Sequence, residues 1–135
     1  GAGGAPEIAT HAKQTFVVLK QSPRSFVAKL DFVTSAGFFQ GHGSRSRAGA
    51  PGAGPQVVIT DHGLLKPEAD SDELVLVARY ENVGVDDARR ATGWSLKTAD
   101  PVEVVPPPTA EELRVLRDLH ERTRRAHSRP APPPV

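Results

Sequence analysis

The 135-residue sequence contains no cysteine and no methionine, and aromatic residues make up only 5% of it. Without thiols there is no disulfide, no thiolate nucleophile and no cysteine-ligated zinc. Scarce aromatics leave the core to Val, Leu, Ile and Ala, with the few Phe residues marking its best-packed regions, and they exclude large stacking platforms for single-stranded nucleic acid. Charge of one sign is also lacking: seventeen basic residues oppose sixteen acidic ones, so no global field steers the chain to polyanions. One local exception runs from His120 to Arg129, where four arginines and two histidines face a single acid, Glu121; it reads as a solvated helix end rather than a phosphate-binding surface. No apolar run approaches the roughly 20 residues needed to span a bilayer. The start lacks the three regions of a signal peptide, which makes the cytoplasm the default compartment.

What is present begins with Gly1-Ala2-Gly3-Gly4, a glycine-dense turn. Pro6 and Glu7 behind it suit the first turn of a short helix, with Ile8, Ala9 and Ala12 inward. Thr15 to Leu19 is a continuous β-branched and apolar run, the pattern of a strand buried on both faces of a parallel sheet. Phe26 to Thr34 alternates and predicts a strand covered on one face. Residues 37–55, with six glycines and two prolines, predict a long loop. Gln56 to Thr60 is a second buried strand. Asp61-His62-Gly63 turns the chain into Leu64-Leu65, and Glu73 to Tyr80 is the second arm of a hairpin. Asp86 to Thr92 predicts a helix with Gly93 at its C-cap, and Trp94 to Lys97 a short returning strand. After the stiff Pro106-Pro107-Pro108, Thr109 and Glu112 form a capping box for a helix over 110–125 with Leu113, Leu116 and Leu119 or His120 on its buried side. Together these elements predict an α/β fold, as one domain over residues 1–127 and a disordered Pro-rich tail over 128–135.

Chemistry-bearing patterns are few. The five histidines show no metal-ligand spacing, and no serine sits in a nucleophile elbow. The loop from Gly41 to Arg47 is either an anion nest, in which Arg45 and Arg47 would touch phosphate, or a plain mobile loop. A glycine turn entering a helix, as at Gly3 and Gly4, can present amides to a developing oxyanion; the alternative is a turn that packs tightly against a neighbouring strand.

In order, GAGGAPEIA at 1–9, TFVVLK at 15–20, RSFVAKLDFVTSAGF at 24–38, GPQVVITDHGLL at 54–65 and DDARRATGWSL at 86–96 resemble the C-terminal half of the β subunit of family I CoA-transferases, of the glutaconate or 3-oxoacid CoA-transferase type. PPPTAEEL at 106–113 fits the same ending. The resemblance implies a NagB, ribose-5-phosphate isomerase and CoA-transferase-like α/β fold, with a mainly parallel sheet flanked by helices, here as a partial domain. It implies covalent catalysis without metal: a glutamate attacks an acyl-CoA thioester and passes through an acyl-glutamyl anhydride to a glutamyl-CoA thioester. Coenzyme A is a substrate, and no cofactor is covalently bound. By the same resemblance the amides of Gly3 and Gly4 contact the thioester or its oxyanion. Two departures stand out. Glu7, behind an unusual Pro6, replaces the family's aspartate, and the family's nucleophilic glutamate, which belongs upstream of the glycine turn, has no counterpart among the glutamates here.

The expectation is therefore part of a CoA-transferase β subunit that is inactive alone and works with the other half of the β chain and an α subunit on acyl-CoA and carboxylic acid substrates. Two alternatives remain. One is a hydrolase of CoA thioesters or cyclic diketones from the same family. The other is a non-catalytic module in which the Arg-bearing loop and basic helix hold phosphate or nucleic acid.

Overall fold

Residues 3–128 are described in the computed structural model, and they divide into two compact units, the first ending at Val105 and the second starting at Pro106. The first contains α1 (Ala5–His11), β1 (Thr15–Val18), α2 (Ser44–Arg47), β2 (Pro55–Ile59), β3 (Gly63–Pro67), β4 (Leu74–Tyr80), α3 (Val85–Arg90) and β5 (Lys97–Val105); the second contains α4 (Ala110–His127).

The five strands form one sheet in the order β1-β2-β3-β4-β5. β1 and β2 pair in parallel, as do β4 and β5, while β3 is antiparallel to both of its neighbours. Four of the five strands therefore run the same way, which is the mainly parallel α/β sheet the sequence predicts. The short turn at Asp61-His62 permits only an antiparallel return, so β3 is the reversed strand.

Phe26, Val58, Leu65, Leu76, Ala88 and Leu96 make the buried core, with Val17, Leu19, Trp94 and Val102 packed around it. Phe26 stacks on Trp94 with ring centroids 5.7 Å apart. Gly93 makes that contact possible: its amide donates to the Phe26 carbonyl at 2.7 Å, and a Cβ on it would lie 2.6 Å from the same oxygen. Gly93 is thus a close-approach glycine and not the C-cap of α3, which is Ala91.

Several expectations are corrected. β1 is covered on one face only: Phe16 and Val18 are 62% and 76% exposed, because among the described residues nothing layers over that side. Phe26 to Thr34 forms bends and irregular backbone, not a strand. Its alternation supplies an apolar face, but Phe26 is held by Trp94 and Gly93 and no neighbouring strand takes up the backbone that follows, so Leu30, Phe32 and Val33 stay exposed. β5 starts only at Lys97 and runs to Val105; Pro101 is tolerated because β5 is an edge strand whose pairing with β4 shifts register between Leu76 and Ala78. In the second unit, the capping box forms as expected, with Glu112 N donating to Thr109 Oγ1 at 3.2 Å and Thr109 N to Glu112 Oε2 at 2.7 Å. The expected buried stripe does not: α4 buries no residue, and Leu116 and Leu119 are about half exposed. Of the expected tail, Ser128 is the C-cap of α4, and residues 129–135 lie outside the described residues.

The region between β1 and β2 is the largest departure from the expected plain loop. It contains α2, and Arg45 within it is 5% exposed. The guanidinium donates to four backbone carbonyls: Gly52 at 2.5 Å, Gly37 at 2.9 Å, Ala9 at 2.9 Å and Thr10 at 2.7 Å. One side chain thereby fixes the end of α1 and both flanks of α2. Replacing Arg45 by Met removes the donor from all four carbonyls, of which Thr10 alone keeps another, the Gly52 amide at 3.0 Å, and hydrogen bonds to charged groups are worth about 1.5–3 kcal/mol each at most. We expect R45M to lose about 3 kcal/mol or more in urea denaturation, with Lys restoring only part because an ammonium cannot span the four acceptors. A loss of under about 0.5 kcal/mol, the range of ordinary surface changes, would show that the clamp does not hold the fold.

Candidate functional site

The glycine turn enters α1 in the manner its composition predicts. Gly3 has φ +57°, a conformation that favours glycine; Gly4 is the N-cap with φ −82°. Its carbonyl accepts from Ile8 N at 3.1 Å. A Cβ built on either glycine meets nothing within 4 Å. Among the described residues the turn therefore does not pack against a neighbouring strand, and the surface beside Gly4 is open. Gly1 and Ala2 lie outside the described residues.

A second polar centre, which the sequence did not reveal, sits just past the last residues of the parallel strands β1 and β2, the end of an open α/β sheet where ligands bind. Gln21 follows β1 and is 2% exposed; Thr60 and Asp61 follow β2. Thr60 Oγ1 donates to Gln21 Oε1 at 2.8 Å, and Gln21 Nε2 donates to the Ala88 carbonyl at 3.1 Å and to Thr92 Oγ1 at 2.9 Å. The Gln21 backbone amide donates to Asp61 Oδ1 at 2.8 Å, and His62 Nδ1 lies 3.2 Å from that same oxygen. The Gln21 amide, with His62 beside it, holds the Asp61 carboxyl below the usual aspartate value. A lone Gln between two apolar runs carries no sequence signal. Only the topology, which sets the ends of β1 and β2 side by side, exposes its role.

The arginine-bearing loop is placed differently from either expectation. Arg45 turns inward and spends four of its five N–H groups on carbonyls, so its hydrogen bonds are not free for phosphate. Arg47 is exposed, with Nη1 donating to the His42 carbonyl at 2.6 Å. Gly41, His42 and Gly43 all have positive φ, the geometry that gathers amides around an anion. The chain fills this nest itself: Gly43 N donates to Asp72 Oδ2 at 3.0 Å and His42 N to the Ser71 carbonyl at 3.3 Å.

On α4 the basic residues are largely ion-paired within the helix. Arg122 meets Asp118 at 3.0 Å, and Glu121 accepts from Arg125 at 2.9 Å and also from Arg124. That is the solvated-face arrangement. Among the described residues no group of three or more His, Asp or Glu could hold a metal, and no helix is long and apolar enough to cross a membrane.

No family profile matches the chain. Individual relatives do. It is 44% identical over 127 residues to the B subunit of 3-oxoadipate CoA-transferase from Pseudomonas knackmussii, covering 94% of this chain and 49% of that protein. It is 39% identical over 119 residues to the B subunit of glutaconate CoA-transferase from Acidaminococcus fermentans, covering 87% and 44%. The solved glutaconate coenzyme A-transferase of Acidaminococcus fermentans superposes with a TM-score of 0.78 at 34% identity, over 87% of this chain and 45% of that one. Rhodococcus jostii IpdAB shares the fold, with a TM-score of 0.74 at 21% identity over 87% of this chain and 47% of that one. The chain spans about half the length of the curated relatives it matches.

The Asp61 geometry predicts a pH dependence. A carboxyl held below its ordinary value binds its proton more weakly folded than unfolded. Its stabilisation is complete above the unfolded value of about 3.8 and is lost as pH falls through the lower folded value. We expect denaturation midpoints of the unaltered chain to fall on acidification below about pH 5, and D61N to flatten that slope. Equal slopes would mean that Asp61 is uncoupled from folding.

Proposed function

From the premise that this chain is a homologue of half of the β chain of a CoA-transferase, we propose that it forms part of an enzyme moving CoA between an acyl-CoA and a carboxylic acid. The observation that carries this reading is the 44% identity sustained across 94% of the chain, supported by a fold match at a TM-score of 0.78. Because the chain spans about half of its relatives, the activity belongs to an assembly: this chain, the remaining half of the β-chain fold and an α subunit.

In that assembly a glutamate carboxylate outside this chain attacks the thioester carbonyl and expels the CoA thiolate, leaving an acyl-glutamyl anhydride. The thiolate then attacks the glutamyl carbonyl, releasing the acyl group as its carboxylate and forming glutamyl-CoA. The acceptor carboxylate repeats the sequence in reverse to leave with CoA. Each addition places negative charge on a carbonyl oxygen, and donors already in position stabilise it without reorganisation. We assign that role to the amides of Gly3 and Gly4. The absence of any atom near a Cβ on Gly4 supports this, since packing within the chain gives no reason for a glycine at a φ of −82°. The exposed Phe16 and Val18 on edge strand β1 suit contact with the other half, because parallel strands are ordinarily covered on both faces.

The test is co-expression with an α subunit and the rest of the β-chain fold, assayed for CoA transfer between acyl-CoA and carboxylic acids. Transfer dependent on the acceptor acid is expected from the assembly and none from the isolated chain. Release of CoA to water regardless of acceptor would replace the transferase with a hydrolase. G4A should leave the melting temperature unchanged, since Ala adopts this backbone without strain, and lower kcat by about a hundredfold or more because its Cβ would hold the thioester off the amide, the usual cost of a lost oxyanion donor. Full activity in G4A would remove the turn from the reaction.

A further inference from the structure

Helix α4 leaves its apolar side chains half in water: Val115, Leu116 and Leu119 are 49%, 46% and 49% exposed, and no residue of the helix is buried. Their spacing of three and four puts them on one face. The same spacing carries that face to Glu112 at its N-terminal end and to Arg122 and Ala126 at its C-terminal end. Along the helix the face therefore runs from acid through an apolar centre to base. We infer that it docks on the same face of a second copy of this chain, the two helices running antiparallel about a two-fold axis level with Arg117. Such pairing is independent of the transferase reading, and either can fail without the other.

The order of charge selects the orientation. An antiparallel pair sets Val115 against Leu119 of the second copy, and Glu112 against Arg122 of the second copy at both ends. Both charged side chains have atoms to spare. Glu112 uses Oε2 to accept from Thr109 N at 2.7 Å and from Thr109 Oγ1 at 2.8 Å, and its Oε1 has no hydrogen-bond partner among the described residues. Arg122 meets Asp118 through Nε at 3.0 Å, which leaves its two terminal nitrogens to donate to a carboxylate. A parallel pair would instead set Glu112 against Glu112 and Arg122 against Arg122, and like charges brought together are unfavourable.

A surface that recognises this face must carry the reverse order of charge about an apolar centre, and the helix turned end for end is such a surface. A lipid surface is a poor match. Across α4 five arginines oppose four acids, which leaves little attraction for anionic headgroups. A polyanion would take the other flank, where Arg117, His120, Thr123 and Arg124 line an open cleft, and would leave Val115 and Leu119 in water. The helix has 18 residues and is about 27 Å long. Two such helices bury less than about 1,200 Å², the small end of specific interfaces, so the pair forms at micromolar rather than nanomolar concentration.

The sequence contains no cysteine, so one introduced thiol reports one position in the full chain. A short thiol-to-thiol crosslinker should join L116C to itself, because Leu116 lies one residue from the axis. It should not join A126C, whose two copies stand roughly 27 Å apart along an antiparallel pair. Crosslinking of A126C as strong as that of L116C would reveal a parallel pair or unspecific association and overturn the proposal, and crosslinking of neither would show that the face does not meet its own copy. R122E should lower the L116C yield about fivefold or more, the scale of two exposed ion pairs, while R122K retains it and R117E, on the far side of the helix, leaves it unaltered. Circular dichroism should show the same helix content in each variant. No loss in R122E, or an equal loss in R117E, would overturn the pairing of Glu112 with Arg122.

Discussion

A single buried guanidinium holds together the part of this fold that has least secondary structure. A parallel pair of strands needs a long crossover, normally covered by a helix that packs on the sheet. Between β1 and β2 the crossover contributes only the four residues of α2, too few to bury a side of the sheet. Arg45 substitutes directional hydrogen bonds for that missing layer. It gathers carbonyls from α1, from Gly37 and from Gly52, groups that would otherwise be unsatisfied in a region with little regular pairing. The clamp also fixes the end of α1 that returns the chain to β1, and only residues 5–8 of that helix separate the clamp from the glycine turn. The placement of the helix that carries the glycine turn therefore depends on this one side chain.

At the opposite end of the same two strands a neutral side chain plays the corresponding part. Gln21 joins the chain after β1 to Thr60 after β2 and to the end of α3. Both ends of its carboxamide are used, which makes a buried amide stabilising rather than costly. Asp61 closes the network from outside by accepting the Gln21 backbone amide. Two polar anchors, one charged and one neutral, thus bracket β1 and β2, whose sheet is poorly covered on the face carrying Phe16 and Val18.

The parts of this arrangement legible in sequence were those written in local code. Apolar β-branched runs at 15–18 and 55–59, the hairpin at 63–80, the acidic start of α3 and the Thr109–Glu112 box each state their structure within a few residues. Phe26 to Thr34 misled because alternation specifies a face but not a partner, and the stacking of Phe26 on Trp94 took the segment elsewhere. The returning strand expected over Trp94 to Lys97 lies instead at Lys97–Val105, because Trp94 is drawn to Phe26 and the pairing that holds β5 is with β4, neither of which a local pattern states. Arg45 and Arg47 looked alike in sequence. Which of two neighbouring arginines turns inward is decided by carbonyls from residues 9, 10, 37 and 52, whose convergence no local pattern encodes. The backbone geometry of the glycine turn was legible, whereas the Gln21 network exists only through long-range contacts.

The balance of buried and exposed apolar groups bears on the proposed assembly. Among the described residues the buried core consists of a few side chains, two of them the alanines Ala78 and Ala88, whereas eleven large hydrophobics are exposed, including Phe16, Phe32 and Phe39. Each large side chain left in water forgoes about 1.5–3 kcal/mol that burial would supply. An ordinary monomer exposes such residues singly; here they fall in runs along β1, along residues 30–39 and along α4. A surface of that kind is stabilised by whatever covers it, in proportion to the area it removes from water. The relatives it matches carry about as much chain again. In the proposed assembly a partner that binds only the folded state would add its binding free energy to stability, while the hydrogen-bonded anchors at Arg45 and Gln21 hold β1 and β2 together within the chain itself.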